Sequence, residues 1–187
     1  MVTRYSYDKL IQTAYPVPLI NMRTWDAREI VLPAAAANDD MGLITGAFGT
    51  DVATLQSIDF KTAASDEKCG FYFALPPEYV AGGGVTLRLR AGMITTISDD
   101  GAAAVTVDVE CCESDSDGAA GADVCATAAQ NMNVLVHADK DFTITATGLN
   151  PGDLLDVVLT FAGTDTATGT AVIAEISQAE FLLDVWR

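Results

Sequence analysis

Residues able to do chemistry are thinly spread in this chain, and only one stretch groups them. Glu113, Asp115, Asp117 and Gly118 fall at positions 1, 3, 5 and 6 of a calcium-loop pattern, where carboxylates supply oxygen ligands and the glycine makes the sharp turn. The position that should hold the bidentate acid is Val124, and Asp123 comes one residue early. Glu113, Asp115 and Asp117 are therefore weak metal candidates, set against the plainer expectation of a solvated acidic turn. Asp99-Asp100 and Asn38-Asp39-Asp40 read as turns, because such side chains bond nearby backbone. The single histidine, His137, sits in VLVHADKD with no G-x-S-x-G nucleophile motif beside it and is expected as an edge or loop residue. The triplet Gly82 to Gly84 lacks the Lys-Ser/Thr that would make it a phosphate loop. No cofactor is expected, and no enzyme.

Cys69, Cys111, Cys112 and Cys125 form no C-x-x-C pair, so a zinc site is not expected. Cys111 and Cys112 are adjacent and point to opposite faces of a strand. A bridge from Cys125 to either one is geometrically open. The favoured state is four reduced thiols, with Cys111 packed as a small apolar residue, since MVTRYSYDKL shows no secretory pattern that would mark an oxidising compartment.

The formal net charge is −16. Arg4, Lys9, Arg23 and Arg28 outnumber Asp8, Asp26 and Glu29 over residues 1–30, so the remainder carries all of the acidic excess. Neutralising phosphates needs clustered Lys and Arg, and only six basic residues follow position 30. Nucleic-acid binding by the body is excluded on that ground. An acidic surface keeps copies apart and soluble. No apolar run approaches the roughly 20 residues of a membrane span.

Residues 1–53 hold neither helix nor strand period. They carry Pro16, Pro18 and Pro33, an alanine run and singly placed apolar residues such as Tyr15, Leu19, Trp25 and Leu32. This predicts an extended N-terminal arm that pins itself by isolated anchors onto its own body, a sister subunit or another protein. Trp25, Arg23, Arg28 and Leu32 are its expected interface residues. From residue 54 to 187 the pattern is that of short strands. CGFYFAL (69–75) is an apolar strand, and LPPEYVAGGG after it predicts a long flexible connection between two sheets. VTLRLRA (85–91) is the cleanest alternating strand. Val105, Val107, Val109 and Cys111 face inward in the next, after a turn at Asp99 to Gly101. Residues 125–136 are ambiguous between helix and strand. Phe142 and Ile144 alternate with threonines, 148–153 is a turn, and Leu155, Val157, Leu159 and Phe161 form another inner face. Residues 171–176 and 181–185 are expected as the final strands. The whole predicts an all-β antiparallel sandwich of jelly-roll type, with an immunoglobulin-like sandwich as the alternative.

Arg88 and Arg90 lie on the outer face of the cleanest strand in a body short of cations. Two uses stay open: cross-strand pairing with acids such as Asp108 or Glu110, or a contact between subunits. Tyr79, beside the glycine triplet, is either an exposed contact ring or a loop ring packed on its own sheet.

The stretches DAREIVLPAAAANDDMGLITGAFGT, LPPEYVAGGGVTLRLRAGM and GLNPGDLLDVVLTFAGTDTA together resemble small virion proteins of tailed phages, some of which decorate or cement the capsid. The resemblance covers most of the chain, and its motifs are structural rather than catalytic. It implies a jelly-roll body, often trimeric, fastened to the major capsid protein on the outer capsid surface. A tail, adaptor or fibre component would share fold and arm. A carbohydrate-binding module is a further class, and would need a groove with exposed aromatics. A hydrolase is the most remote, for want of a constellation.

Overall fold

The computed structural model describes residues 9–36, 39–47, 49–61, 64–95, 104–114, 120–165 and 171–186. In chain order they form β1 (Leu10–Pro16), a 3-10 turn (Leu19–Asn21), β2 (Gly42–Ile44), β3 (Thr54–Gln56), β4 (Ala64–Ala74), β5 (Val85–Met93), β6 (Ala104–Ser114), β7 (Ala120–Asp123), β8 (Gln130–Asn131), β9 (Ala138–Ile144), β10 (Leu154–Thr164) and β11 (Ala174–Trp186). The expected turn at Asp99 to Gly101 lies outside the described residues.

Strict alternation decides the layers. Leu155, Val157, Leu159 and Phe161 of β10 are buried, as are Val105, Val107, Val109 and Cys111 of β6 and Val85, Leu87, Leu89 and Ala91 of β5. A strand with period two can bury only one face at a time, so these three strands fix which side of each sheet turns inward. One sheet has the order β2-β3-β11-β5-β9, with β1 also paired to β11; the other has β4-β10-β6-β7, with β8 on β6. From β3 onward the chain alternates between sheets, except for the β6-β7-β8 run. The orders β3-β11-β5-β9 and β4-β10-β6-β7 are those of a jelly roll, and every strand pair is antiparallel. Phe73 stacks on Phe181 at 4.2 Å between ring centroids and Phe71 meets the same ring edge-on at 6.3 Å, joining the two sheets at the centre.

One expectation changes and two open points are decided. Residues 174–176 and 181–185 belong to one strand, β11, which starts three residues later than expected and is interrupted by a bulge between Ile176 and Gln178; the bulge breaks the alternation that the sequence displays on either side of it. Residues 125–136 form no helix and contribute only the two-residue β8. The described part of 9–53 lies on its own body. β1 pairs with β11 along its whole length, and β2 pairs with β3. Between them the chain crosses to the other sheet, where Arg23 exchanges backbone hydrogen bonds with Gly70 (both 2.9 Å), Met41 N donates to Lys68 O and Lys68 N to Asp39 O. These bonds cover the outer edge of β4. Val17, Leu19, Met22, Leu32 and Met41 enter the common core, so no boundary at residue 53 separates an arm from a body.

Met22→Ala tests this. The side chain is fully buried, and its truncation should cost about 2–5 kcal/mol, read as a lowered thermal midpoint. An unchanged midpoint would mean that the segment does not pack as described.

Candidate functional site

Two surfaces gather the side chains that the sequence singles out. The first is a small loop clamped against the second sheet. Thr24 N donates to Ile30 O (3.0 Å), while Ile30 N and Thr24 Oγ1 both donate to Ala27 O (2.8 and 2.7 Å). The loop sends Arg28 across the face of β4 at Gly70. A Cβ on Gly70 would fall 1.1 Å from Arg28 Nη1, so only glycine leaves room for the guanidinium. Arg28 Nη2 donates to Asp156 on β10 at 2.5 Å, and the guanidinium lies 5.7 Å from the Tyr72 ring centroid. Trp25 Nε1 donates to Asp39 (3.1 Å), and Lys68 Nζ sits 4.8 Å over the Trp25 ring.

Around this clamp, Ile30 (53%), Val31 (55%), Tyr72 (53%) and Leu154 (37%) are exposed. Trp25, Arg23 and Arg28 all sit on this loop against β4. Leu32 is separate from them: it is 5% exposed and belongs to the core, where a leucine on the inward side of the loop has to go.

The second surface is the outer face of the first sheet. Arg88 donates twice to Asp141 of β9 (2.7 and 2.8 Å) and Arg90 donates to Asp139 (3.0 Å). Glu180 of β11 is 3.9 Å from Arg88. The cross-strand pairing expected for these arginines is present, with different partners. Asp108 and Glu110 are on β6, in the other sheet; β5 has β9 and β11 as neighbours. Arg88 holds the Asp141 carboxyl below its ordinary range by hydrogen bonding and charge. Arg88, Arg90, Asp139, Gln178 and Glu180 line a cleft of about 250 Å³. A second cleft, of about 450 Å³, is lined by Ile44, Thr50, Val52, Gln56 and Glu175.

His137 makes contacts that the sequence does not reveal, because its partners lie some forty residues on. Its ring rests on Gly92, where a Cβ would meet the ring at 2.5 Å. Nδ1 is 3.2 Å from Ser177 Oγ at the β11 bulge, and Nε2 is 3.6 Å from Glu175. Gln56 Nε2 donates to the other Glu175 oxygen (3.0 Å). The contact order is that of a serine–histidine–carboxylate set. Ser177 Oγ is also within hydrogen-bond distance of Arg90 O (3.2 Å), an acceptor that competes with the imidazole for its proton. The group braces the bulge against the segment that precedes β9.

Elsewhere the singled-out residues are structural. Tyr79 is 1% exposed; its hydroxyl donates to Gly83 O (2.7 Å), and burial first, then Asp184 and Asp153, raise its pKa. The surrounding loop is pinned too, with Val80 N donating to Asp184 O and Gly84 N to Asp184 Oδ2. It connects the two sheets as expected, but as a fixed cap: the ring and the glycines pack on the chain itself, and Tyr79 is no contact residue. The four cysteines are free thiols, and burial pushes those of Cys69 and Cys111 strongly up, away from reactivity. Glu113 is half-buried near the end of β6, while Asp115 and Asp117 lie outside the described residues. Among the described residues no group of three or more His, Cys, Asp and Glu side chains could hold a metal ion.

Sequence reasoning missed Glu67. It occupies an inward position of β4 at 0% exposure. Ser65 donates to Oε1 (2.8 Å), and Oε2 has no hydrogen-bond partner among the described residues. Burial, then the charges of Asp39, Asp40 and Asp66, raise its pKa against the Ser65 bond.

No protein-family model matches the chain, and no curated protein does. Solved structures similar to it include the isomalto-dextranase of Arthrobacter globiformis T6, at 16% identity and a TM-score of 0.44 over 91% of this chain. This chain spans 23% of that enzyme's length. The Stig cyclase Fisc of Fischerella sp. TAU matches at 10% identity and a TM-score of 0.37, covering 92% of this chain and 100% of the cyclase. An apo cyclase from Fischerella sp. matches at 13% and 0.39, covering 90% and 96%. These neighbours are enzymes, and likeness at this level carries no activity to this chain.

Two expected outcomes follow from the clamp and the buried acid. Gly70→Ala should expel the Arg28 guanidinium and cost about 1–3 kcal/mol through loss of its charged hydrogen bond. Adding Arg28→Ala should then cost little more, and a fully additive pair in thermal or denaturant unfolding would contradict the clamp. For Glu67 the folded pKa lies above its unfolded value, so its favourable contribution is complete below about 4.5 and is lost as pH rises through the folded value. Glu67→Gln should therefore gain stability over the wild type as pH climbs from 4 towards 8, by about 1–3 kcal/mol. A difference independent of pH would show that Glu67 does not titrate in the folded state with a raised pKa.

Proposed function

We propose that this chain is a non-catalytic structural virion protein that decorates or cements a phage capsid by binding the major capsid protein lattice. The observation that carries this reading is the exposed apolar ridge of Ile30, Val31, Tyr72 and Leu154, held in place by the Arg28 clamp. Exposed apolar groups gathered on a rigid support suit a protein partner. The jelly-roll body agrees with what the sequence resemblance implies. An acidic surface suits the outside of a shell packed with nucleic acid, where the protein need not touch phosphate. Many copies on a lattice multiply weak individual contacts. Attachment then runs through this face rather than through a detachable arm, since 9–53 is built into the body.

A glycan-binding module is the second reading, favoured by the cleft of Arg88, Arg90, Asp139, Gln178 and Glu180, whose side chains suit hydroxyl groups. That cleft has no aromatic wall.

Cosedimentation with capsids stripped of this protein tests the first reading. Saturable binding at a fixed ratio to the major capsid protein is expected, and Ile30→Asp with Val31→Asp should weaken it about tenfold or more at unchanged thermal stability. Absence of capsid binding would overturn the reading; binding to isolated tails would favour a tail component. Glycan binding lost in Arg90→Ala would favour the module.

A further inference from the structure

We propose that Cys111 and Cys125 are a latent disulfide pair, oxidised by a small-molecule disulfide such as oxidised glutathione to a bond that ties the two sheets together. Asp123 Oδ1 accepts from both Cys111 N and Cys125 N, each at 2.9 Å, so the two backbone nitrogens lie within twice that distance of each other. Val124 N donates to Cys111 O (2.7 Å), which sets the residue before Cys125 directly against Cys111. A disulfide spans Cα atoms about 4.4–6.8 Å apart, and residues held in this way have that spacing.

Both side chains turn into the same space. Cys111 follows Val105, Val107 and Val109 on the inward face of β6 and is fully buried. Cys125 forms an antiparallel bridge with Ile144 of β9, and residues paired in this way turn their side chains to one face. Ile144 is buried, and Cys125 packs against the core. One thiol enters from the second sheet. The other enters from the crossover that leaves β7 for the edge of β9, where Ala126 N donates to Thr143 O and Thr145 N to Val124 O (both 2.8 Å). A bond between them therefore joins the sheets at that edge.

The other two cysteines do not compete. Cys112 is opposite Asp123 and faces away from the core, as the neighbour of an inward strand residue must. Cys69 is on β4, with the whole of β10 between it and β6; two strand spacings are about 10 Å, which no disulfide spans.

Cys125 is half-buried and is reached first. Its Sγ donates to Thr127 O (3.6 Å), a weak bond that rotation about Cα–Cβ releases. The Cys125 thiolate attacks one sulfur of oxidised glutathione and expels the other as a glutathione thiolate. The Cys111 thiolate then attacks the Cys125 sulfur of the mixed disulfide and expels the second glutathione. The two protein thiols lose two protons and two electrons, and the small-molecule disulfide leaves as two thiols. Burial raises the pKa of both cysteines, so thiolate is scarce and the bond forms slowly; the same burial then keeps reductants from it. The four free thiols of the structure are the reduced member of this couple.

Oxidised glutathione at mildly alkaline pH, added to the folded full-length chain, should lower the free thiols from four to two. Non-reducing peptide mapping by mass spectrometry should find Cys111 joined to Cys125. The thermal midpoint should rise by roughly 6–12 °C and fall back with dithiothreitol. Cys125→Ser and Cys111→Ala should each abolish the rise, and Cys112→Ser should preserve it. Where Cys111→Ala is too unstable to read, Cys125→Ser carries the comparison, because its side chain is only half-buried. Four free thiols after prolonged exposure, a glutathione adduct that stays on Cys125, or a Cys112–Cys125 bond overturns the proposal. So does a Cys111–Cys125 bond that forms only in chain unfolded with urea, or one that leaves the midpoint unchanged.

Discussion

Every backbone donor and acceptor at the rim of a sheet must be satisfied by protein or left to water, and that constraint organises this chain. The two sheets could pack face to face with their β4 and β9 edges bare. Instead the chain leaves β1, turns at Leu19–Asn21, and crosses to the β4 edge, where Arg23 and Asp39 to Met41 take up its hydrogen bonds. The crossing also drops Met22, Leu32 and Met41 into the core. Edge cover and core filling are thus one event. The same segment then supplies the loop that carries Arg28, so the exposed ridge owes its position to the bonds that close the sheet.

The sparse cations follow the same logic. In a chain this acidic, an unpaired arginine would be drawn to the nearest carboxylate. Arg88 and Arg90 lie between Asp139, Asp141 and Glu180, and Arg28 lies between Asp156 and the Tyr72 ring. The exposed pairs on the first sheet are worth little individually, since solvent screens them and side-chain entropy opposes them. Arg28 differs: one of its nitrogens is buried without a hydrogen-bond partner among the described residues. The guanidinium accepts that loss because Asp156 and Tyr72 fix it over Gly70.

The jelly-roll body was legible wherever one face of a strand is wholly buried. β10 alternates along its length, as do β5 from Val85 to Ala91 and β6 from Val105 to Cys111, and no helix period competes with them. Legibility failed where burial is partial or backbone geometry intervenes. β1 reads as an arm because Ile11, Thr13 and Tyr15 are only half covered, so the apolar alternation is diluted, and Pro16 and Pro18 suggest chain that cannot pair. β11 reads as two strands because one bulged residue shifts the phase. The surfaces were legible by residue type but not by contact. Arg88 and Arg90 asked for acids, and the sequence holds many; only the strand order decides between β6 and β9. Tyr79 and Leu32 look like contact residues in loops, yet both turn inward, because a loop that caps a sandwich must bury its apolar side chains somewhere. Nothing local marks Glu67 as buried, since its neighbours Asp66 and Lys68 are the ordinary outward residues of the same strand.

A surface works as a docking face only if holding it still costs little when the partner arrives. Loops that order on binding lose conformational freedom at that moment, and the loss weakens the complex. The loop carrying Ile30 and Val31 has met that cost already. Its backbone is closed on itself through Ala27 and Thr24, it is paired to β4 at Arg23, and its arginine is fixed across two strands. The apolar groups it exposes cannot turn inward without breaking these bonds. Their exposure is therefore a property of the fold, set by the bonds that hold the loop.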